Sequence, residues 1–482
     1  MWWIGNRWKV YCGTMALVFS LRSFSRRSNG CVSAFTTFAP TTSATIATRR
    51  RRKIDEASRL LLLQRNSNQL CYYHSSTLLL EQSSDNEEII RKNGRPLLDW
   101  YSEEGKEYEL PECGEDEMRE LKEGQRIVAF GDVHGDLEKL RQFLVTAKIM
   151  DEESSVEDPI WVGGDTICVQ TGDILDRGDD ELACFRLLTS LSRQAVEVGG
   201  KLILLYGNHE SLNAVGLFHY ANPGGNLEME QTVGDVLDTS LQTNRWRLQF
   251  AGNQPSRWAA FEPGGLLAYS LLKQMKVAVV VGKSVFVHAG LTTSHLNGGT
   301  SIKPMNQAAQ EWITTSHHGP NNNSGIQYQS VDDVIAAANR RAKQATQTQP
   351  SCLGGGIGDM SPIWMRTYSQ PHDAPPSNPK AQSMIDALCF TLKVDRMVMG
   401  HTPQNQINVA LNDKAWRIDV GASKGVMDGH VEVLEILHST NGPDTIHILR
   451  YNQSNKIPYT QRQIMQPSNT IPTSDNLYNS IF

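Results

Sequence analysis

Long apolar runs, paired cysteines and, near the N-terminus, acidic side chains are what this sequence lacks. The mostly apolar run Val10 to Leu21 has twelve residues, whereas a membrane-spanning helix needs about 20, so no stable membrane insertion is expected. Eight cysteines in 482 residues, with no CxxC pair and no regular spacing, argue against a disulfide framework or a structural Cys-zinc site. Cys168 and Cys184 nevertheless flank a polar cluster closely enough to raise redox control as a possibility to examine. The glycine run Gly354 to Gly356 lacks the preceding strand and following Lys-Ser/Thr of a phosphate loop. Residues 1 to 54 hold ten Arg or Lys and no Asp or Glu; removing them from the formal charge of −6 leaves −16 for the remainder. An acidic body argues against nucleic acid as a partner.

What is present is concentrated in five short segments: GDVHGD at 131–136, GDILDRGD at 172–179, GNHE at 207–210, HAG at 288–290 and GHTP at 400–403. Each follows a short apolar run, namely Ile127 to Phe130, Ile167 to Gln170, Leu202 to Tyr206, Val285 to Val287 and Met397 to Met399. Such continuous runs are expected of buried strands, so every polar cluster falls where a strand ends, the usual place for functional residues on α/β scaffolds. A lone Asp-x-His after a strand is most often a turn. Several Asp, Asn and His clusters at strand ends point instead to one shared site. Carboxylate, amide oxygen and imidazole donors without cysteine suit Mn, Fe or Zn. A carboxylate between two such clusters can bridge two cations, and a pair roughly 3.5 to 4 Å apart can activate water and bind the leaving oxygen of a phosphate ester.

In order and spacing, GDxHG, GDxxDRG and GNHE resemble the phosphoprotein phosphatase family of calcineurin-like metallophosphoesterases over about residues 126 to 437. The stretch Trp416 to Gly421 makes the chain similar to the bacterial-type branch, the Shewanella-like protein phosphatases. The resemblance implies two metal ions: Asp132 and His134 would hold the first, Asp173 would bridge, and Asn208, His288 and His401 would complete the second. It further implies a metal-bound hydroxide as nucleophile, His209 as general acid oriented by Asp176, and Arg177 as a phosphate clamp. A second phosphate-binding arginine is expected after a Trp, which makes Arg366 in Pro-Ile-Trp-Met-Arg the candidate. One departure is Ala289-Gly290 after the third His, where the family usually has Gly-Gly.

The fold expected from the resemblance is α/β, with two mixed β-sheets packed as a sandwich and flanked by helices. Apolar spacing predicts helices over 137–147 and 181–196, giving β-α-β-α-β through Tyr206. Strands are expected at 277–281, 284–287, 397–399, 416–420, 431–436 and 445–449. Residues 111–451 read as one catalytic domain, 55–110 as a largely disordered linker and 452–482 as a mobile C-terminal tail. Residues 1–54 read as a targeting presequence. Its apolar core behind Arg7 and Lys9, followed by Phe38-Ala39-Pro40, is similar to the signal-plus-transit presequences of algae with secondary plastids, so a plastid is favoured over a mitochondrion.

The expected activity is hydrolysis of phosphoserine or phosphothreonine in a phosphorylated protein substrate. The alternatives are a tyrosine or dual-specificity phosphatase, a symmetrical dinucleoside tetraphosphatase, a general phosphodiesterase, or a catalytically dead scaffold. Asp176 leans against the dinucleotide enzyme, whose relatives often carry Asn there. The complete ligand set leans against the scaffold.

Overall fold

The computed structural model describes residues 108–112, 114–233, 254–315, 331–356, 360–451 and 457–458. The presequence and nearly all of the linker and tail therefore lie outside the described residues, as do His317, His318 and Trp246.

Arg126–Phe130 (β2), Ile167–Gln170 (β3) and Lys201–Leu204 (β4) form three adjacent parallel strands, with Ile127 opposite Ile167 and Cys168 opposite Leu202. From Ile127 to Phe130 every side chain is buried, as the uninterrupted apolar run requires of a strand covered on both faces. On the other side of β2, Glu432–Leu437 (β10), Thr445–Arg450 (β11) and Ile457–Pro458 (β12) complete a six-stranded mixed sheet by antiparallel pairing. A second mixed sheet has the order β1-β5-β6-β7-β9-β8, from Glu117–Met118, Ala278–Val281, Ser284–Val287, Arg396–Met399, Ala415–Arg417 and Asn408–Ala410. Inward residues of both sheets and of the flanking helices belong to one continuous apolar core. In it Phe130 of β2 stacks on Phe143 of helix Leu137–Thr146 at 5.0 Å between ring centroids.

The loops that leave the parallel strands turn directly into helices. GDVHGD ends at Asp136, whose Oδ1 accepts from the Lys139 backbone N–H and caps helix Leu137–Thr146. GDILDRGD leads into helix Glu181–Glu197, and GNHE opens helix Asn208–Ala214. The β-α-β-α-β reading thus holds with helix ends shifted by one residue.

Beyond shifts of a single residue, four boundaries differ from the sequence reading. Tyr108 and Leu110, placed in the linker, are buried in the body. Ile457–Pro458, placed in the tail, pairs with β11. The run at 416–420 leaves the ladder after Arg417, because Asp419 turns to pack against Gly131, where a Cβ would lie 2.7 Å from the Asp419 Cα. The run ending at Tyr206 stops as a strand at Leu204, and Leu205 and Tyr206 cross toward the second sheet to pair with Lys276. That crossing carries Asn208 and His209 toward the strand ends of the other sheet.

Candidate metal centre

Asp132, Asp173, Asn208, His288 and His401 follow the ends of β2, β3, β4, β6 and β7 and converge in the interior, each at most 6% exposed. Reaching one point from five strands forces unusual backbone. His134, Asp173, Asp176, Arg177 and His401 all have φ between 50° and 70°, the left-handed region that non-glycine residues seldom occupy. Gly207 allows the closest approach: a Cβ there would stand 2.0 Å from Asp173 Oδ1. Glu210, whose role the sequence did not reveal, fixes this crossing. Its buried carboxylate accepts the backbone N–H groups of Asp173 (2.9 Å), Ile174 (2.8 Å), Leu175 (3.1 Å) and Gly207 (2.8 Å), tying the GDILDRG turn to the GNHE helix.

Asp173 stands at the centre. Its Oδ2 lies 3.3 Å from His288 Nε2, 3.8 Å from His134 Nε2 and 3.9 Å from His209 Nε2, while Oδ1 accepts from the His209 backbone N–H at 2.9 Å. Burial works against its charge, but His288, His209 and His134 outweigh that and hold the carboxyl well below the usual carboxylate range. Asn208 Oδ1 lies 3.0 Å from His288 Nε2 and 2.8 Å from His401 Nδ1. Asp132 Oδ2 lies 4.0 Å from His134 Nε2.

Two of the imidazoles are oriented from behind by backbone carbonyls. His134 Nδ1 donates to the Leu175 carbonyl at 3.0 Å and His288 Nδ1 donates to the Thr171 carbonyl at 2.8 Å, so each ring turns its Nε2 toward Asp173. Burial pushes His134 down to about 3, and burial together with Arg366 pushes His401 well below the usual imidazole value, so both rings are neutral at pH 7, as metal ligands must be.

The donor set fits a pair of metal ions. Two groups of ligand atoms, His134/Asp173/His209 and Asp173/His288/His401, are each gathered within 4.8 Å, and Asp173 is common to both. This is the position that a bridging carboxylate must occupy. His209 falls in the first group, but its Nδ1 is committed to Asp176 Oδ2 at 2.6 Å. Asp132 lies outside that group yet beside it, against His134. A buried carboxylate absent from the expected site, Asp419, also faces Asp132; burial pushes it up to about 6.

A cavity of about 50 Å³ opens over this centre, with Asp132, Asp173 and Asn208 lining it below. Arg177 and Arg366 line it as well, so both expected arginines reach the cavity although they lie far apart in sequence. Arg177 has its backbone N–H bonded to the Tyr220 carbonyl at 2.8 Å and its guanidinium 4.9 Å from the Tyr220 ring. Arg366 donates to Thr402 Oγ1 at 3.2 Å. The Ala289 departure is accommodated: its methyl is buried, and the N–H groups of Ala289 and Gly290 both donate to the Pro362 carbonyl, drawing the segment with Arg366 over the site. Tyr220 and Trp364 supply aromatic walls, whereas His219 is exposed and Trp258 is a buried packing residue. Cys168 and Cys184 are fully buried, and burial raises both thiols above their ordinary value, which disfavours the thiolate.

Comparison with known proteins agrees with this geometry. Residues 125–405 match the calcineurin-like phosphoesterase family. The chain is 34% identical over 335 residues to Shewanella-like protein phosphatase 2 of Arabidopsis thaliana, covering 65% of this chain and 75% of that protein. It is 37% identical over 306 residues to Shewanella-like protein phosphatase 1 of Plasmodium berghei, covering 63% and 68% respectively. Among solved structures, a cold-active protein tyrosine phosphatase shares the fold with a TM-score of 0.50 at 18% identity, over 73% of this chain and 82% of that one. The chain therefore belongs to the calcineurin-like phosphoesterases, among the Shewanella-like protein phosphatases, and is a phosphoric ester hydrolase.

Proposed function

We propose that the chain is a protein phosphatase that removes phosphate from serine and threonine, with Asp132, His134, Asp173, Asn208, His288 and His401 holding two ions of Mn, Fe or Zn. The observation that carries this reading is the position of Asp173 between two imidazole groups, directly beneath a cavity lined by Arg177 and Arg366. When bound, the two cations would supply positive charge to the phosphoryl oxygens and lower the pKa of an attacking water.

The chain's own residues account for the rest. Arg177 and Arg366 offer planar guanidinium forks to the phosphoryl oxygens and fix their orientation for in-line attack. As the water oxygen bonds to phosphorus and the P–O bond to the seryl oxygen breaks, His209 gives its Nε2 proton to the departing oxygen. Asp176, on Nδ1, holds that ring in place and stabilises its charged form. Ordinary ligand pockets enclose roughly 300–1,000 Å³. The cavity of about 50 Å³ suits a phosphoryl group at the tip of a large substrate better than an enclosed dinucleotide.

A second reading, phosphotyrosine, is favoured by the aromatic walls of Tyr220 and Trp364 and by the cold-active protein tyrosine phosphatase that shares this fold. Metal-stripped protein resupplied with Mn, Fe or Zn and given a phosphoserine/phosphothreonine peptide, a phosphotyrosine peptide and diadenosine tetraphosphate decides among them. Activity is expected only after metal is restored, with the phosphoserine/phosphothreonine peptide turned over fastest. Preference for phosphotyrosine would select the second reading, and preference for the dinucleotide would reject both.

We also propose import into an organelle, with the plastid as destination. Residues 1–54 fused to a fluorescent protein are expected to direct it to plastids, and mitochondrial or cytosolic fluorescence would reject that destination.

A further inference from the structure

Arg257, on helix Pro255–Phe261, is 1% exposed, although a guanidinium removed from water is costly unless its N–H groups are met. Here they are met. Nε donates to Asn213 Oδ1 at 2.7 Å, Nη1 to Glu181 Oε2 at 2.6 Å, and Nη2 to both Glu181 Oε1 at 2.8 Å and Asp176 Oδ1 at 2.9 Å. The rings of Phe218 and Phe261 lie 5.5 and 5.7 Å from the guanidinium carbon and close the site from water. Arg257 does not line the cavity, so it meets neither the phosphate nor the ligand atoms.

Its partners nonetheless lead straight to the reacting groups. Asp176 uses Oδ2 for His209 Nδ1, while Oδ1 accepts from Arg257 and, at 3.1 Å, from Asn213 Nδ2. Both carboxylate oxygens are thus spoken for, and rotation of Asp176 would break three hydrogen bonds at once. Asn213 is itself bonded on both sides, its Nδ2 also donating to the His209 carbonyl at 2.8 Å and its Oδ1 receiving Arg257. Glu181 accepts the Asp176 backbone N–H as well as the guanidinium, so the same arginine braces the turn on which Arg177 follows Asp176.

We propose that Arg257 is a positioning residue for leaving-group protonation: it holds Asp176 against His209 and acts on the reaction only through that pair. The inference rests on reading His209 as the proton donor in a phosphatase. A side chain with this role matters most where the leaving group needs a proton. A phosphoserine peptide departs as an alkoxide that must be protonated, whereas p-nitrophenyl phosphate releases a stable anion that needs no donor.

Arg257→Gln and Arg257→Lys in the full-length chain test it, the lysine variant keeping a buried positive charge should the glutamine variant fail to fold. Both are expected to retain the wild-type metal content and a KM within about twofold of wild type. The kcat on the phosphoserine peptide should fall by about tenfold to a hundredfold, part of the ~10²–10⁴ that a general acid supplies, while kcat on p-nitrophenyl phosphate falls only a few-fold. On a His209→Asn background the Arg257 substitutions should add no further loss, because they act through the missing group. The far-downfield proton resonance of the His209–Asp176 hydrogen bond in the metal-free protein should shift or vanish in both variants. Equal losses on the two substrates, additive losses with His209→Asn, or an unchanged resonance would each overturn the proposal. The resonance needs no turnover: a wild-type chain inactive on both substrates, whose resonance still depended on Arg257, would reject the phosphatase reading and leave the positioning role standing.

Discussion

Asp173→Asn is expected to lose bound metal and phosphatase activity together. The substitution keeps the shape of the side chain and the extreme backbone at φ 57°, but replaces one carboxylate oxygen with an amide that donates. Oδ2 is the atom that faces His288, His134 and His209 within 3.9 Å, and it belongs to both ligand groups. Loss of its charge removes the one anion shared by the two sites, so neither ion retains its full set of donors. Metal content should fall from two ions per chain to one or none, and turnover by more than about a thousandfold, beyond the ~10²–10³ that a single electrostatic donor contributes. A variant that kept both ions and its activity would refute the bridging assignment.

His209→Asn is expected to separate chemistry from metal binding. The side chain adjoins the centre, but its Nδ1 is held by Asp176 at 2.6 Å and Asp176 is held in turn by Arg257 and Asn213. Burial opposes the Asp176 charge, and the hydrogen bond from His209 together with Arg257 overcomes it, keeping the carboxyl below the usual carboxylate range. An ionised Asp176 stabilises the protonated ring that a donor to a leaving alkoxide must be. Asparagine in place of His209 cannot supply the proton, so turnover of an alkyl phosphoester should fall by about a hundredfold or more while both ions remain. Unchanged turnover would remove His209 from the mechanism, and loss of metal would make it a ligand instead.

The parts of this centre legible in the sequence are those fixed by short-range rules. Apolar runs such as Ile127 to Phe130 and Val285 to Val287 announce buried strands, and an Asp, Asn or His just beyond each run falls at a strand end whatever the rest of the chain does. The proposed metal donors are legible for that reason. Arg366 was visible only through family resemblance, because nothing local ties it to the site; two backbone hydrogen bonds from Ala289 and Gly290 to Pro362 bring it there.

What the sequence concealed depends on pairings across long separations. Glu210 is one letter of a recognised motif, but three of its four backbone partners are supplied by a turn more than thirty positions earlier. Arg257 stands 81 residues from Asp176 in a segment with no motif of its own, and only the packing of its helix against the GNHE helix makes it a partner. Strand ends were missed at Leu204 and Arg417 for a related reason. Each run stays apolar after its ladder stops, since Tyr206 and Ile418 remain buried while the backbone turns toward the other sheet or toward Gly131.

The most direct test of the account is metal content measured alongside phosphate release in the same preparations of full-length protein: as purified, after chelation, and after metal is returned. Two ions per chain, phosphate release abolished by chelation, and recovery of both on adding Mn, Fe or Zn are the expected results. Phosphate release that survives complete removal of metal would contradict the assignment of Asp173 and its five companions as the centre of the reaction.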